Sequence, residues 1–226
     1  MDMDIETLNA TIITCRKCPR LVAYRELVAE KKKKAYQSWV YWGKPVPAFG
    51  DIHGRVLVVG LAPGPHGSNR TGRMFTGDSS GVFLFSALHR AGFTNQATSV
   101  SRDDGLAVED MLISAVCRCV PPDNKPSRSE MENCLPYLEQ EIEFMKNLQV
   151  IVALGRIGFD NVLRIYRSWG NNVPRIDFKH GGVYTLGEGL PALVASYHPS
   201  QQNTQTGRLT FQMFDVVWHK AKHLLK

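Results

Sequence analysis

Four short apolar runs are the most regular feature of the chain. They occupy residues 55–60, 111–116, 148–154 and 193–196, and each leads into a glycine or a polar loop. A continuous apolar run of this length, bounded by turn residues, is typical of a strand that is buried on both faces. The pattern therefore predicts four buried strands, with polar loops leaving their carboxyl ends.

Longer segments with helical periodicity lie around these strands. Ser127 and Glu130 have the spacing of a capping box at a helix start. Residues 39–49 are aromatic and proline-rich, which predicts an extended surface segment. Strands alternating with helices indicate an α/β fold in which a parallel sheet is covered on both faces. The predicted helices span residues 6–15, 21–35, 81–91, 127–146, 156–169 and 208–225.

Composition and charge narrow the class of protein. The 226 residues show no internal repeat and no linker, so we expect a single domain over 1–226. No apolar run reaches the length of a membrane span, and residues 1–4 lack a secretory signal. We therefore expect an intracellular protein, in cytoplasm or nucleoid, without a membrane partner. The net charge of +6 permits a polyanionic partner, although lysines 31–34 are better explained as a solvated helix face.

Three strand ends deliver polar loops, over residues 60–78, 117–124 and 198–208, that we expect to meet at one edge of the sheet. The loop over residues 198–208 carries mostly neutral hydrogen-bonding side chains and ends in an arginine at a helix start. Such a loop can hold phosphates and probe a groove, although a plain solvated loop would look similar. The loop over residues 60–78 contains several side chains that can take part in binding or catalysis. They are His66, Asn69, Arg70, Arg73, Phe75 and Asp78.

Five cysteines suggest a second site. Cys15 and Cys18 form a Cys-x-x-Cys pair, and Cys117, Cys119 and Cys134 follow about a hundred residues later. In an intracellular chain, four such ligands indicate a metal or iron–sulfur site before disulfides, with Cys117 or Cys119 left over. Spacing alone does not separate zinc from iron–sulfur, and ordinary buried thiols remain an alternative.

Several of these motifs together resemble one known family. They are Gly60-Leu-Ala-Pro-Gly, Phe75-Thr-Gly-Asp, His198-Pro-Ser and the Cys-x-x-Cys pair with two later cysteines. The combination is similar to the uracil-DNA glycosylase superfamily, and within it to the fifth, B-type family, from about Cys15 to Arg208. The resemblance implies a three-layer α/β/α sandwich with a central four-stranded parallel sheet. It also implies a 4Fe-4S cluster and the removal of deaminated bases from DNA.

The resemblance assigns the cluster to particular cysteines. It implies Cys15, Cys18, Cys119 and Cys134 as ligands, because the family's third ligand directly precedes the proline-rich turn. Cys117 is then spare, and zinc is the alternative metal. The cluster would tie the N-terminal helical segment, residues 1–50, to the rest of the domain.

The chain lacks the carboxylate that usually activates water in this superfamily, so other residues are expected to carry the catalysis. Other members of the superfamily carry a water-activating carboxylate where this chain has Leu61 or Ala62, and the fifth family shares that absence. We expect a neutral His198 to donate to the departing base. Asp78 would orient water or offset positive charge on the sugar, or only cap the following helix. Asn124, in the second loop, would position water or substrate.

The expected base pocket is permissive. The resemblance places Gly60 and Ala62 at the base, with Phe75 stacked on it unless Phe75 is a core residue. Ala115 stands where the fourth family has an asparagine that reads uracil, so we predict a broad range that includes hypoxanthine. His66 and Asn69 are expected to line the pocket.

DNA contacts are expected on the same edge of the sheet. Leu209 is expected to help fill the gap left by a flipped base. The side chains expected to hold DNA are Arg70, Arg73, Gln201, Gln202, Asn203 and Arg208.

These expectations describe a monofunctional DNA glycosylase of base excision repair. It would hydrolyse the N-glycosidic bond of uracil and other deaminated bases, leaving an abasic site. Its partners would be damaged DNA, double- or single-stranded, and a sliding clamp as a candidate; it would be a monomer. One alternative is a catalytically inactive iron–sulfur protein that binds nucleic acid. Another is a hydrolase or transferase acting on free nucleotides.

Overall fold

A computed structural model describes residues 4–226 as a six-stranded mixed sheet between helical layers. Residues 1–3, on which the absence of a secretory signal was partly based, lie outside the described part. No helix within residues 4–226 is long and apolar enough to cross a membrane. The strands are β1 (Phe49–Gly50), β2 (Val56–Gly60), β3 (Met111–Ala115), β4 (Val150–Leu154), β5 (Val183–Thr185) and β6 (Ala192–Ser196).

The four predicted strands form the centre of the sheet. The spatial order is β1-β3-β2-β4-β6-β5, and the inner four strands are mutually parallel. The two edge strands pair antiparallel and were not predicted. β1 is two residues long and falls in the segment expected to be extended surface, while β5 is largely exposed and has no apolar run.

Helices cover both faces of this sheet. Six of them match the six predicted helices to within a few residues, whereas the short α3 and α7 were not predicted because one or two turns leave little periodicity. The helices are α1 (Ile5–Thr14), α2 (Pro19–Lys31), α3 (Ser68–Thr71), α4 (Ser79–Arg90), α5 (Arg128–Phe144), α6 (Arg156–Ser168), α7 (Gln201–Gln205) and α8 (Phe211–His223).

Alternating side chains divide the core between the two faces. In β2, Val56 and Val58 pack with α4 and α8, whereas Leu57 and Val59 pack with α5 and α6. Every residue of β2, β3 and β4 is buried, as expected for strands covered on both sides. The arrangement confirms the predicted three-layer α/β/α sandwich.

The N-terminal helices are attached to one outer layer. Leu8 and Ile12 of α1 pack against Tyr137 of α5 in a small separate apolar cluster. The capping box that was predicted at the start of α5 is present, with Ser127 and Glu130 each bonding the other's backbone N–H. Its Glu130 also pairs with Arg20 of α2 at 2.6 Å, so one carboxylate fixes the start of α5 and holds α2 beside it.

A buried polar group connects β3 to α5. Glu141 is fully buried, and one of its carboxylate oxygens accepts hydrogen bonds from Arg118 at 2.5 Å and from Ser114 at 2.6 Å. A buried charge is tolerated only while its partner is present, because the low-polarity interior cannot solvate it.

Replacing Glu141 with leucine should therefore destabilise the protein by about 3–5 kcal/mol, since it leaves the Arg118 cation unpaired. Urea unfolding followed by circular dichroism would measure the loss. The matched control is Glu132→Ala on the exposed side of the same helix, which should cost at most about 1 kcal/mol. Equal losses in the two variants would contradict this account of Glu141.

Candidate active site

The loop that follows β2 folds back over the sheet edge and encloses a small cavity. The cavity measures about 50 Å³ and also receives the residue that follows β6 by two positions. Sequence motifs that lie 120 residues apart therefore meet at one place. The lining residues are Ala62, Gly64, Ser68, Met74, Phe75, Asp78, Ser80 and His198.

His198 is the titratable ring at this cavity. The residue is half-buried, yet protein surrounds its ring closely enough that burial lowers the pKa of His198 to about 4. Among the described residues, its ring nitrogens have no hydrogen-bond partner, while its carbonyl accepts from Asn203 at 2.9 Å. The imidazole is therefore neutral at pH 7, and it holds an N–H that the protein leaves free.

Asp78 has one oxygen committed and one facing the cavity. Its Oδ1 accepts from the backbone N–H of Gly81 at 3.0 Å and caps α4, as one of the two sequence interpretations held. Its Oδ2 lies against Gly67, where an added Cβ would come within 2.0 Å of it. Burial raises the pKa of Asp78, while N–H groups at the helix start and the charge of Arg70 act against that rise. Capping leaves Oδ2 available for chemistry.

Phe75 is held in an unusual backbone conformation. Its φ of +50° lies in the left-handed region, which is costly for a bulky residue. The ring is 8% exposed and packs over Gly60, where an added Cβ would lie 2.8 Å from Cζ. The ring centroid is 5.8 Å from that of His198. Phe75 therefore belongs to the core, and it still forms one wall of the cavity.

Two residues expected to line the pocket lie outside it. Asn69 is 1% exposed and donates to the carbonyl of Arg25 at 3.2 Å, so it ties the loop to α2. His66 bonds the Tyr41 hydroxyl through Nδ1 at 3.1 Å. Burial, and then the charges of Lys33 and Arg70, lower the pKa of His66. The expectation for Asn69 and His66 is corrected: both support the loop from its other side.

The expected DNA contacts of Arg70 and Arg73 are wrong, because both side chains are interior. Arg73 is 4% exposed and pairs with Asp104 at 2.8 Å. Arg70 is 3% exposed, and its guanidinium lies 3.9 Å from the ring of Tyr36 and 4.1 Å from the ring of Trp39. Both arginines brace the loop, and neither can reach a phosphate.

Most of the loop after β6 is exposed to solvent, as expected for a segment that faces DNA. Gln201 and Arg208 are exposed, and the Arg208 guanidinium lies 4.6 Å over the ring of Tyr197. Leu209 is 1% exposed in the core, so the expectation that it fills a gap in DNA is wrong. This loop can face DNA through its polar residues, but not through Leu209.

The second loop does not join the first and third. Asn124 is exposed, adopts a φ of +55° and lines neither this cavity nor the larger one described next. The structure therefore gives Asn124 no place beside His198 and Asp78. Ala115, the last residue of β3, pairs with Gly60 and is buried in the core beside the site.

A larger cavity of about 470 Å³ shares His198 with the small one. Sequence analysis missed it, because Gly155 was interpreted only as the end of a strand. The signal was present, since β4 is parallel to its neighbours and must end at the same edge. The residues that line this groove are Leu61, Leu154, Gly155, Arg156, Ile157, Phe178, Tyr197, His198, Asn203 and Arg208.

The predicted cysteine ligands also come together. Cys15, Cys18, Cys119 and Cys134 line one cavity between the N-terminal helices and α5. Cys117 does not line that cavity and is fully buried. No three His, Cys, Asp or Glu side chains within residues 4–226 converge closely enough to hold a single metal ion.

N–H groups surround the sulfurs of this cavity. Arg25 Nη1 lies 3.0 Å from Cys119 Sγ, and the backbone N–H of Arg118 lies 3.2 Å from Cys134 Sγ. Arg25 and Arg118 are 2% and 1% exposed, and both have guanidinium nitrogens without an acceptor in the described structure. Buried donors without acceptors are costly, so this cavity suits an anionic group that accepts hydrogen bonds.

Comparison with known proteins gives consistent similarities. Residues 47–222 match the sequence model of the uracil DNA glycosylase superfamily. The chain is 48% identical over 218 residues to a type-5 uracil-DNA glycosylase of Mycobacterium tuberculosis, covering 96% of this chain and 80% of that protein. It is 47% identical to a type-5 uracil-DNA glycosylase of Thermus thermophilus, covering 98% and 99%. A type-4 uracil-DNA glycosylase of Pyrobaculum aerophilum is 31% identical, covering 88% and 84%.

The low pKa of His198 predicts a specific pH dependence of folding stability. Between the folded value of about 4 and the ordinary value of 6.5, the unfolded chain binds a proton that the folded chain excludes. Stability should therefore fall as the pH drops through this window, by roughly 1.4 kcal/mol per pH unit at most, and the contribution of His198 should be constant above it.

Urea midpoints measured from pH 4 to pH 8 would show this dependence. His198→Asn should flatten the acidic limb, whereas His219→Asn, at an exposed position of α8, should leave it unchanged. An acidic limb that is as steep in His198→Asn as in the wild type would show that the folded protein does not suppress protonation of this ring.

Proposed function

The chain belongs to the uracil DNA glycosylase superfamily and to its type-5 branch, and from this membership we propose that it hydrolyses the N-glycosidic bond of uracil in DNA and leaves an abasic site. The observation that carries the proposal is a neutral His198 with an unengaged ring N–H, at a cavity it shares with Phe75 and Asp78. A base that leaves as an anion needs a hydrogen-bond donor of this kind close to it.

Bond cleavage places negative charge on the base and positive charge on the sugar. A preorganised N–H donor lowers the barrier where the base oxygen becomes negative, and a neutral imidazole needs no proton loss to act. Oδ2 of Asp78 would orient the attacking water or offset the sugar's charge, while Oδ1 stays on the helix cap. Phe75 would stack on the base after it leaves the duplex.

The substrate range is proposed to extend beyond uracil, to hypoxanthine and other deaminated bases. Ala115 ends β3 beside Gly60, at the position where the family resemblance puts the base-reading asparagine of the fourth family. A site built to hydrogen-bond a particular edge rejects other bases strongly, and an alanine cannot do so. Selection would then depend on how easily a mispaired base leaves the helix.

A 4Fe-4S cluster is the proposed occupant of the cysteine cavity. Four thiols around one space, N–H groups on their sulfurs and two guanidiniums with spare donors fit a group of bridging sulfides and thiolates. Zinc would need all four sulfurs about 2.3 Å from one point, whereas each cysteine of a cluster binds its own iron. When bound, the cluster would cross-link the N-terminal helices to α5, making residues 1–226 one domain.

One alternative function, DNA binding without catalysis, is favoured by the residues at positions 61 and 62. Leu61 and Ala62 occupy positions where other branches of the superfamily carry a water-activating carboxylate. A protein that binds DNA without cleaving the glycosidic bond would also show this absence. That alternative predicts DNA binding without abasic product, and the excision assay distinguishes the two.

Excision should depend on His198 and on one oxygen of Asp78. On end-labelled duplexes that carry one uracil or one hypoxanthine, followed by hot alkali, the wild type should release breaks at both bases. His198→Ala should slow excision by about 10²–10³-fold, as expected for loss of an oxyanion donor. His219→Ala is the control.

Two Asp78 variants separate chemistry from capping. Asp78→Asn keeps an oxygen for the N-cap and should preserve thermal stability, yet it should lower the excision rate. Asp78→Ala should lower both. If Asp78→Asn retains full excision, Asp78 is only a cap. If the wild type binds these duplexes and cuts neither, the glycosylase proposal fails and the binding protein remains.

Cluster loading should distinguish two cysteines that are two positions apart. Purified without oxygen, the wild type and Cys117→Ala should carry about four irons per chain and a broad visible absorbance. Cys119→Ala should lose both, together with the stability that binding to the folded state adds. Equal iron in the two variants would contradict the ligand assignment, and zinc in place of iron would favour the single-ion alternative.

A further inference from the structure

Hydrogen bonds through α2 and α3 join the cysteine cavity to the loop that follows β2. On the cysteine side, Arg25 Nη1 of α2 lies 3.0 Å from Cys119 Sγ and donates to the carbonyl of Cys15 at 3.2 Å. On the other side, Asn69 Nδ2 of α3 donates to the carbonyl of Arg25 at 3.2 Å. Arg25 therefore contacts two of the predicted cluster ligands and, at the same time, the loop that carries Asp78.

Arg25 is a buried cation with a weak carboxylate partner. Its side chain is 3% exposed, and its only ion pair among the described residues is with Glu26 at 3.8 Å. The same Glu26 oxygen lies 2.6 Å from Arg16, so it already neutralises another cation. The Nε of Arg25 is buried without an acceptor in the described structure. The thiolate sulfurs of a bound cluster would supply negative charge and acceptors, because cysteine binds metal in its deprotonated form.

The position of α2 depends on the same cavity at two points. Cys18 is the N-cap of α2, directly before Pro19, and Arg25 lies about two turns further along the helix. When bound, the cluster would hold α2 at its start through Cys18 and near its middle through Arg25. The pair between Arg20 and Glu130 is independent of the cysteines, but it fixes only the first turn of α2.

The short helix α3 forms part of the wall of the small cavity. All four of its residues are buried, and Ser68 lines the cavity together with Gly64. The backbone N–H of Asn69 donates to the carbonyl of Gly64 at 3.0 Å. Gly67, immediately before α3, lies against Oδ2 of Asp78, where an added Cβ would come within 2.0 Å of it. A shift of α3 therefore changes the space beside the free oxygen of Asp78.

A second contact between α2 and α3 passes through Gly43. Its N–H donates to the carbonyl of Asn69 at 3.0 Å, and an added Cβ would lie 2.8 Å from Cβ of Ala29 on α2. Its φ of +59° is a conformation that favours glycine. The backbone at Gly43 thus lies between the two helices, so a movement of α2 reaches α3 by packing as well as through the Asn69 amide.

We propose that Arg25 and Asn69 are positioning residues that couple the cysteine cavity to the active site, so that filling the cavity orders the loop that carries Asp78. The inference rests on the proposed cluster, which supplies acceptors for Arg25, and on the proposed glycosylase function, which makes the loop catalytic. No electron is transferred, because the group in the cavity acts by its charge and position. Loss of iron should then lower excision through this loop even while the domain stays folded.

Asn69→Ala tests the coupling in protein that keeps its iron, since the Asn69 amide bonds Arg25 and no cysteine within the described residues. Purified without oxygen, the variant should carry about four irons per chain. Amide hydrogen exchange over residues 64–71 should become about tenfold faster, as for the loss of one hydrogen bond. Removing iron from the wild type should speed the same amides and should add little in Asn69→Ala. Equal exchange in α6 would show that the domain stays folded.

Arg25→Gln should affect both sites. Losing a positive charge and an N–H donor at Cys119 should make the reduction potential of the cluster more negative. The kcat for a uracil duplex should fall about tenfold, and Arg25→Lys should restore much of both properties. Asn69→Ala should lower kcat by a similar factor and leave the potential unchanged. The control is Lys31→Gln, which removes an exposed positive charge from the same helix and should change neither.

The double variant Arg25→Gln/Asn69→Ala shows whether the two residues act in one pathway. In one pathway, its kcat should be no lower than that of the worse single variant, whereas independent losses would multiply to about a hundredfold. Multiplied losses, or unchanged exchange over residues 64–71 in Asn69→Ala, would overturn the coupling. So would a folded wild type that excises uracil equally fast with and without iron.

The measurements separate the coupling from the proposed function. Excision by the wild type, with both exchange and kcat unaffected in Asn69→Ala, would refute only the coupling. Iron-dependent exchange over residues 64–71 that is lost in Asn69→Ala, without any excision by the wild type, would support the coupling and refute the glycosylase function.

Discussion

The parallel alignment of β3, β2, β4 and β6 is the constraint from which the rest of the molecule follows. Gly60 pairs with Ala115, and Leu154 pairs with Ser196, so the strands stop at nearly the same level. Helices cover both faces, and the polar parts of the chain can therefore gather only beyond this edge. The candidate active site and the groove are both built there, each from loops of more than one strand.

The loop after β2 shows how such an edge is made rigid. Burying Arg70 and Arg73 is costly, and aromatic faces, backbone carbonyls and the Asp104 carboxylate offset that cost. Arg70 donates to the carbonyl of Gly77 and Arg73 donates to the hydroxyl of Thr76, so both fix the chain just after Phe75. The charge of Arg70 also acts on the half-buried Asp78. The glycines of the same loop admit the Asp78 carboxylate at distances that a side chain would forbid.

Sequence patterns predict those parts of the molecule where burial is uniform. The four central strands and six longer helices follow from apolar runs and periodicity, and His198, Phe75 and Asp78 follow from their motifs. Asn69, Arg70 and Arg73 were misplaced because a polar loop residue is solvated by default, and only tertiary packing supplies interior partners. The groove beside His198 was missed because Gly155 indicates the end of a strand as readily as the edge of a groove.

The three loops in which the sequence predicted functional residues contribute to two different sites, and this determines which residues the candidate active site contains. The loop after β3 leads away to the cysteine cavity, and within the described residues it contributes no lining residue to either cavity at His198. The first and third loops must then supply both polar groups, a half-committed Asp78 and a neutral His198. With no dedicated water-activating carboxylate at Leu61 or Ala62, such a site gains most by stabilising the departing base. Stabilising a departing oxyanion does not depend on which base carries it, and this links the expected tolerance for several bases to the chemistry of His198.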